Sequence, residues 1–244
     1  IYVQKVDSSG AVIWSSGGVE VCAAAGNQES PFMTTDCSGG AIIAWEDERE
    51  DNKHISAQKI DSGGNAIWAP DGERIDTTDG IVYGPDIDSD EMGGAYITWM
   101  TLDTATTEYL ERKIFLAKID SDGHLAWDPH EVTCDTWPAQ WPGIEWSFPR
   151  VTRDKCGGAI VAWAASLDNL VFYVLAQKVN SQGLACWEEG GVSVTLDVLC
   201  HGVQLKPDGL GGAAITWLCM ANIWIAEWDI MAGRIDSDGS MLWI

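Results

Sequence analysis

The chain is short of basic residues: 14 Lys and Arg stand against 37 Asp and Glu, a formal charge of −23 over 244 residues. That balance argues against a nucleic-acid-binding surface and against anionic membranes, since both attract basic patches. It suits a self-repelling soluble surface, a cation-rich setting or cation binding. Long apolar runs are missing too. None approaches the ~18–20 residues that span a bilayer, so no membrane span is expected. There is no N-x-S/T sequon, which excludes ordinary N-glycosylation; TLDTATTE (101–108) is left as an O-glycosylation site on composition alone.

Catalytic and cofactor signatures are absent as well. The four His (His54, His124, His130, His201) are scattered, with no H-E-x-x-H. No G-x-S-x-G, P-loop glycine run or G-x-G-x-x-G after a strand occurs. No C-x-x-C or Cys/His pair has zinc spacing, so no cofactor is implied. No signal peptide is visible, and the chain opens without Met inside a repeat, which reads as a processed product or a segment of something longer.

What the chain does have is a phrase written five times: IYVQKVDSSGAVIW (1–14), ISAQKIDSGGNAIW (55–68), IFLAKIDSDGHLAW (114–127), VLAQKVNSQGLACW (174–187) and IMAGRIDSDGSMLW (230–243). Each has a basic residue nine positions, and a Gly four positions, before a Trp. A second phrase occurs four times, as GGAIIAW (39–45), GGAYITW (93–99), GGAIVAW (157–163) and GGAAITW (211–217). An Asp precedes its first Gly by three (Asp36, Asp90, Asp154, Asp208). Nine of the 14 Trp belong to these phrases; Trp137, Trp141, Trp146, Trp224 and Trp228 do not.

A repeat of 54–64 residues, with short β-branched runs between Gly/Asp turns, predicts an all-β fold: a β-propeller of four-stranded antiparallel blades. In each unit strand A follows the Pro, as in FMTTD (32–36), and the D-x-x-G-G turn leads into strand B. Strand C is ISAQKID or its equivalent, and strand D carries the Trp. Asp and Gly at the turns supply side-chain hydrogen bonds and positive φ, so most of the acidity is expected to be turn chemistry. Alternation along strand A puts Met33, Ile87, Val151 and Leu205 between blades. It puts Phe32, Asp86, Arg150, Gln204, Thr34, Asp88, Thr152 and Lys206 toward the channel.

Five C–D hairpins but four A–B hairpins make four complete blades preceded by half a blade, in one domain over 1–244. The expected divisions are a half blade at 1–22 and blades at 23–76, 77–134, 135–195 and 196–244. Either a four-bladed ring carries an extra hairpin, or a five-bladed ring takes its missing inner strands from a neighbour. Both leave strand edges that invite another chain, so self-association with neighbouring copies is expected.

These phrases resemble a family of secreted microbial β-propeller repeats of the form I-Y-A-Q-K-I-D-x-x-G-x-x-x-W followed by P-x-I-x-x-D-x-x-G-G-A-I-I-x-W-x-D-x-R. The resemblance covers nearly the whole chain and implies an extracellular, tandemly repeated structural protein or surface fibre. Trp45, Asp47 and Arg49 match W-x-D-x-R; the other blades depart from it (WMTLD, WAASL, WLCMA). The turn in IDSDGHLAW is similar to the Asp-box of sialidase propellers, with the aromatic four residues after the Gly where that motif has three. It is read as the same kind of turn, with no catalytic implication.

Seven Cys point to an oxidising setting. Cys22 and Cys134 follow strand D, while Cys37 and Cys156 lie in the turn before Gly-Gly, which predicts Cys22–Cys37 and Cys134–Cys156 disulfides. Hairpin register, with Asp208 facing Gly211, sets Cys200 opposite Cys219 and predicts a third. Cys186 is left as a small buried hydrophobe or an intermolecular partner.

Two further clusters bear on ligands. Asp86, Asp88 and Asp90 form D-I-D-S-D, a weak calcium candidate whose spacing fails the helix-flanked calcium loop. WPAQWPGIEW (137–146) lengthens one linker to 30 residues, Trp127 to Gly157, against 24 or 25 elsewhere. Trp137, Trp141 and Trp146 there form either a sugar-stacking platform or a packing surface. Glycosidases need two carboxyls across a sugar, and the channel set offers Asp86 and Asp88 on one strand, with Arg150 and Lys206 as neutralising partners. The sequence therefore predicts a non-enzymatic, extracellular structural module that self-associates, with glycan binding through the Trp loop as the alternative and glycoside hydrolysis third.

Overall fold

The computed structural model describes residues 1–49, 52–77, 81–103, 109–138, 148–166, 172–195, 200–222 and 227–244. Among these residues every regular element is a strand. A two-stranded sheet, β1 (Tyr2–Val3) and β2 (Val19–Glu20), comes first. Four antiparallel four-stranded sheets follow. Sheet one holds β3 (Gln28–Thr35), β4 (Ala41–Asp47), β5 (His54–Ile60) and β6 (Glu73–Arg74). Sheet two holds β7 (Ile81–Ser89), β8 (Ala95–Asp103), β9 (Tyr109–Ile119) and β10 (Leu125–Pro138). Sheet three holds β11 (Arg150–Arg153), β12 (Ala159–Ser166), β13 (Phe172–Val179) and β14 (Val192–Ser193). Sheet four holds β15 (Cys200–Pro207), β16 (Ala213–Asn222), β17 (Glu227–Ile235) and β18 (Met241–Trp243). Each sheet is a meander in sequence order, and the first strands meet in succession, β3 on β7, β7 on β11, β11 on β15. Strand β10 runs to Pro138, past the expected division at 134.

Nine turns of one kind set the hairpins. In each, a side-chain oxygen accepts the N–H groups two and four residues on. Asp36 takes those of Ser38 and Gly40, and Asp154 those of Cys156 and Gly158. Asp61 takes those of Gly63 and Asn65, and Asn180 fills the role with its amide oxygen. The acid-rich turns are thus local backbone caps, as their chemistry requires.

The core lies between sheets. Trp45, Trp99, Trp163 and Trp217, one from each second strand, are fully buried. On the first strands Ile87, Val151 and Leu205 are buried, as alternation requires, while Met33 is 66% exposed.

The fourth strand differs from expectation. In sheets one and three, and in the two-stranded sheet, the Trp precedes the fourth strand, which is a two-residue stretch further on. Each of those segments turns sharply on glycine (Gly17-Gly18, Gly72, Gly190-Gly191). The glycine lets the outer strand pass close over the core, since a Cβ on Gly72 would lie 2.5 Å from the Trp45 ring. Sheet two has Asp128-Pro129-His130 there, and β10 runs through without a break.

The repeated phrase joins one sheet to the next. Lys5, Lys59 and Lys178 donate through Nζ to the carbonyls of Gly39 (2.7 Å), Gly93 (2.9 Å) and Gly211 (3.0 Å) in the following sheet. Trp14, Trp68 and Trp187 donate through Nε1 to Ser62, Ser121 and Ser237 at 3.0–3.1 Å, again in the following sheet. Sheet two departs from this pattern: Tyr96 donates to the Gly157 carbonyl, and Lys118 lies over the Tyr96 ring.

Candidate functional site

Arg150 is where the four first strands come together. Its guanidinium lies 3.8 Å from Asp86 Oδ1 on β7 and 5.3 Å from the ring centre of Phe32 on β3. Its Nε donates to the Val203 carbonyl on β15 at 3.4 Å. Strand alternation produces this: Phe32, Asp86 and Arg150 share one parity, and Phe32 also packs against the core between sheets one and two.

The carboxylates of β7 lean onto β11. Asp86 Oδ2 accepts the Val151 N–H at 2.9 Å. Asp88 Oδ2 accepts the Thr152 hydroxyl at 2.9 Å and the Arg153 N–H at 3.0 Å. Arg153 extends the chain of charges, 3.6 Å from Asp88 and 2.6 Å from Glu91. Burial pushes the Asp86 carboxyl above its ordinary range, and the Val151 amide and Arg150 only partly offset this. The side chains of Asp86, Asp88, Arg150 and Arg153 keep between 17% and 24% exposure, so the group remains reachable. Gln204 and Lys206 are exposed and Thr152 is buried. The patch can donate and accept several hydrogen bonds beside one aromatic face, and it holds one carboxyl biased toward its neutral form.

A second polar cluster surrounds the W-x-D-x-R element. Asp47 accepts from Trp45 Nε1 at 2.8 Å and from Arg49 Nε at 2.9 Å. Burial works against the Asp47 charge, but these donors outweigh it and hold the carboxyl below its ordinary range. His54 Nδ1 lies 3.3 Å from buried Asp76. A pocket of about 90 Å³ opens beside them, lined by Asp47, Arg49, His54, Ser56, Gly72 and Arg74. Each carboxylate here is already saturated by its own sheet, which marks the cluster as structural. Sequence reasoning found Asp47 and Arg49 and missed Asp76 and Arg153, which belong to no repeated phrase.

Several expectations are corrected. Asp86, Asp88 and Asp90 do not converge on a cation: the first two engage β11, and Asp90 caps its turn through Met92 and Gly94 and lies 3.5 Å from Lys118. Among the described residues no cluster of His, Cys, Asp or Glu is suited to a metal ion. Cys200 and Cys219 are cross-strand partners and form a disulfide. Cys22 and Cys37 do not pair. Cys22 is buried 3.6 Å from Arg49, whereas Cys37 lies at the far end of β4, 3.4 Å from Ser89, and a seven-residue strand separates such ends by about 20 Å. Cys156 is also free, so it forms no bond with Cys134, whose side chain lies outside the described residues. Cys186 is exposed, not a buried hydrophobe.

The Trp loop falls largely outside the described residues. The backbone of Trp137 pairs with Leu110 at the end of β10, while its side chain and all of Trp141, Trp146 and Trp224 lie outside. Trp228 meets His201 edge to face at 4.5 Å. Among the described residues there is no helix long and apolar enough to cross a membrane.

No protein-family model matches the chain, and no curated protein matches it. Solved structures do. An endo-arabinase from Bacteroides thetaiotaomicron VPI-5482 aligns over 86% of this chain and 75% of its own, at TM-score 0.50 and 12% identity. A thermostable family-43 glycoside hydrolase aligns over 89% and 75%, at 0.50 and 11%. The Hadza microbial sialidase Hz136 aligns over 89% of this chain but 46% of its own, at 0.52 and 15%. The likeness is one of fold. It supports a propeller-type stacking of four-stranded antiparallel sheets.

The expectation of a non-enzymatic chain is overturned by the same finding, because the fold is shared with glycoside hydrolases. The motifs sought in the sequence were contiguous ones, those of nucleophilic triads and metal centres. They had no bearing on carboxyl chemistry, which needs no contiguous signature.

Proposed function

We propose that the chain is a carbohydrate-binding propeller module, with four complete blades and a half blade arranged about a channel, and that glycan binds along the first strands at Arg150. The observation that carries this reading is the convergence of Phe32, Asp86 and the Val203 carbonyl on one guanidinium. Sugars are held by planar charged groups that hydrogen-bond pairs of hydroxyls and by an aromatic face that stacks on the ring. The likeness to an endo-arabinase and a sialidase supports the ligand class. Trp146 precedes Arg150 by four residues in the sequence. The disulfide and the repeat phrases support an extracellular setting.

Glycoside hydrolysis is the second reading, favoured by the raised carboxyl of Asp86. A neutral Asp86 protonates the glycosidic oxygen as the C–O bond breaks, and Asp88 takes a proton from the water whose oxygen bonds the anomeric carbon. Two residues along one strand place their Cα atoms about 6.6 Å apart with both side chains on one face.

Calorimetric titration against a panel including arabinan and sialylated oligosaccharides tests binding. Wild type is expected to bind one class, and Arg150→Ala and Asp86→Ala to bind it at least tenfold more weakly. A folded wild type that binds none of them overturns the site. Reducing-sugar release that Asp86→Asn abolishes while binding persists favours hydrolysis.

A further inference from the structure

One joint recurs through the molecule. The Gly of each D-S-x-G turn lies against the phrase Trp of the preceding sheet. A Cβ on Gly64 would come within 3.1 Å of Trp14, on Gly123 within 2.8 Å of Trp68, on Gly183 within 3.0 Å of Trp127, and on Gly239 within 3.1 Å of Trp187. In three of the four, the indole N–H also donates to the Ser carbonyl of the same turn. Two halves of this joint are left over. Gly10, the fifth such Gly, has no described residue within 4 Å of the position its Cβ would take. Trp243, the fifth Trp, is 50% exposed, against 6% for Trp68.

The faces behind these two residues are bare in the same way. On sheet four Ile230 is 80% exposed, although its counterparts Ile55, Ile114 and Val174 are at most 1% exposed. On the two-stranded sheet Tyr2 and Val6 are 65% and 59% exposed, where their counterparts Phe115 and Ile119 are 8% and 0%.

We propose that these faces meet between two copies of this chain, the Trp243 face of one seating on the Asp7–Gly10 turn of the next. The occupant is fixed by complementarity. Elsewhere the molecule covers such a Trp with a D-S-x-G turn or its Asn180 equivalent, and 7–10 is the one such turn with no described Trp against its Gly. Within one chain Trp243 does not reach the position a Cβ on Gly10 would take. The contact is heterologous, with a different patch on each copy, so it repeats head to tail. Each copy carries a formal charge of −23, so salt that screens the repulsion strengthens it.

Sedimentation velocity over a concentration series tests this. Wild type is expected to grow from monomer into dimers and longer species, more so at high salt. Trp243→Ala and Gly10→Asn are each expected to weaken association at least tenfold. Asn accepts the positive φ of 83° at Gly10, and its side chain occupies the space the Trp needs. An equimolar mixture of the two variants retains one good joint and is expected to stop at a dimer. Wild type that stays monomeric at every concentration overturns the proposal. So does association that survives Trp243→Ala, a substitution at a half-exposed residue that leaves the core intact. A monomer in which Trp243 is shielded from acrylamide quenching also overturns it, and shows closure within one chain.

Discussion

Arg150 and Asp86 stand on adjacent first strands, with Nη1 3.8 Å from Oδ1, and the guanidinium also touches the strands on either side of that pair. One cation thus answers a partly buried carboxyl, an aromatic face and a backbone carbonyl together.

Removing that cation leaves the partly buried Asp86 carboxyl with backbone amides, those of Val151 and Ile87. Arg150→Ala is expected to cost about 1–3 kcal/mol in urea unfolding, the range for stranding one partner of a mostly buried polar pair. Arg150→Lys is expected to restore part of it, because the charge returns without the planar fork. An unchanged midpoint in both variants would show that the contact contributes nothing to stability.

The pH dependence has two opposing parts. Burial works to raise Asp36, Asp47 and Asp208, yet their hydrogen bonds and cationic neighbours hold all three below the ordinary 3.8. A depressed folded value contributes stability above the unfolded one, and that stability is lost as pH falls through the folded one. Asp86, raised by burial, works the other way and costs stability as pH rises past its unfolded value. Melting temperature is expected to fall steeply below about pH 4, less so in Asp47→Asn, while Asp86→Asn is expected to gain relative to wild type as pH rises from 4 to 7.

Trp68 separates the polar and apolar parts of the inter-sheet joint. Trp68→Phe deletes the bond to the Ser121 carbonyl and keeps most of the ring, for an expected loss of about 1 kcal/mol. Trp68→Ala also empties a buried site, and about 3–5 kcal/mol is expected. Equal losses would mean that the hydrogen bond dominates the joint.

Thiol chemistry distinguishes the cysteines. Cys37, Cys156 and Cys186 are exposed and are expected to react with a thiol reagent in the native protein, with Cys22 reacting only after denaturation. Reducing Cys200–Cys219, which are 19 residues apart, is expected to lower stability by about 3 kcal/mol. A native protein with no reactive thiol would contradict the free cysteines.

Much of the fold was legible because the repeat writes it locally. Asp36 and Asp61 cap turns within four residues of themselves, so their role follows from sequence neighbours alone. Alternation on strand A placed Phe32, Asp86 and Arg150 on one side because strand side chains have a period of two. Register across a tight hairpin set Cys200 opposite Cys219. The failures share a cause. Cys22 and Cys37 are at equivalent repeat positions to Cys134 and Cys156, but equivalence in a repeat says nothing of distance, and a full strand lies between them.

The sequence by itself determined the hairpins, their turns and the faces of their strands, since each depends on residues only a few positions apart. Only the tertiary structure decided what Lys59 and Trp68 bond to and which three strands meet Arg150. It also decided which Trp and which Gly are left without each other. Those contacts join residues from 34 positions apart (Lys59 and Gly93) to 118 apart (Phe32 and Arg150), and no local pattern encodes how sheets are placed against one another.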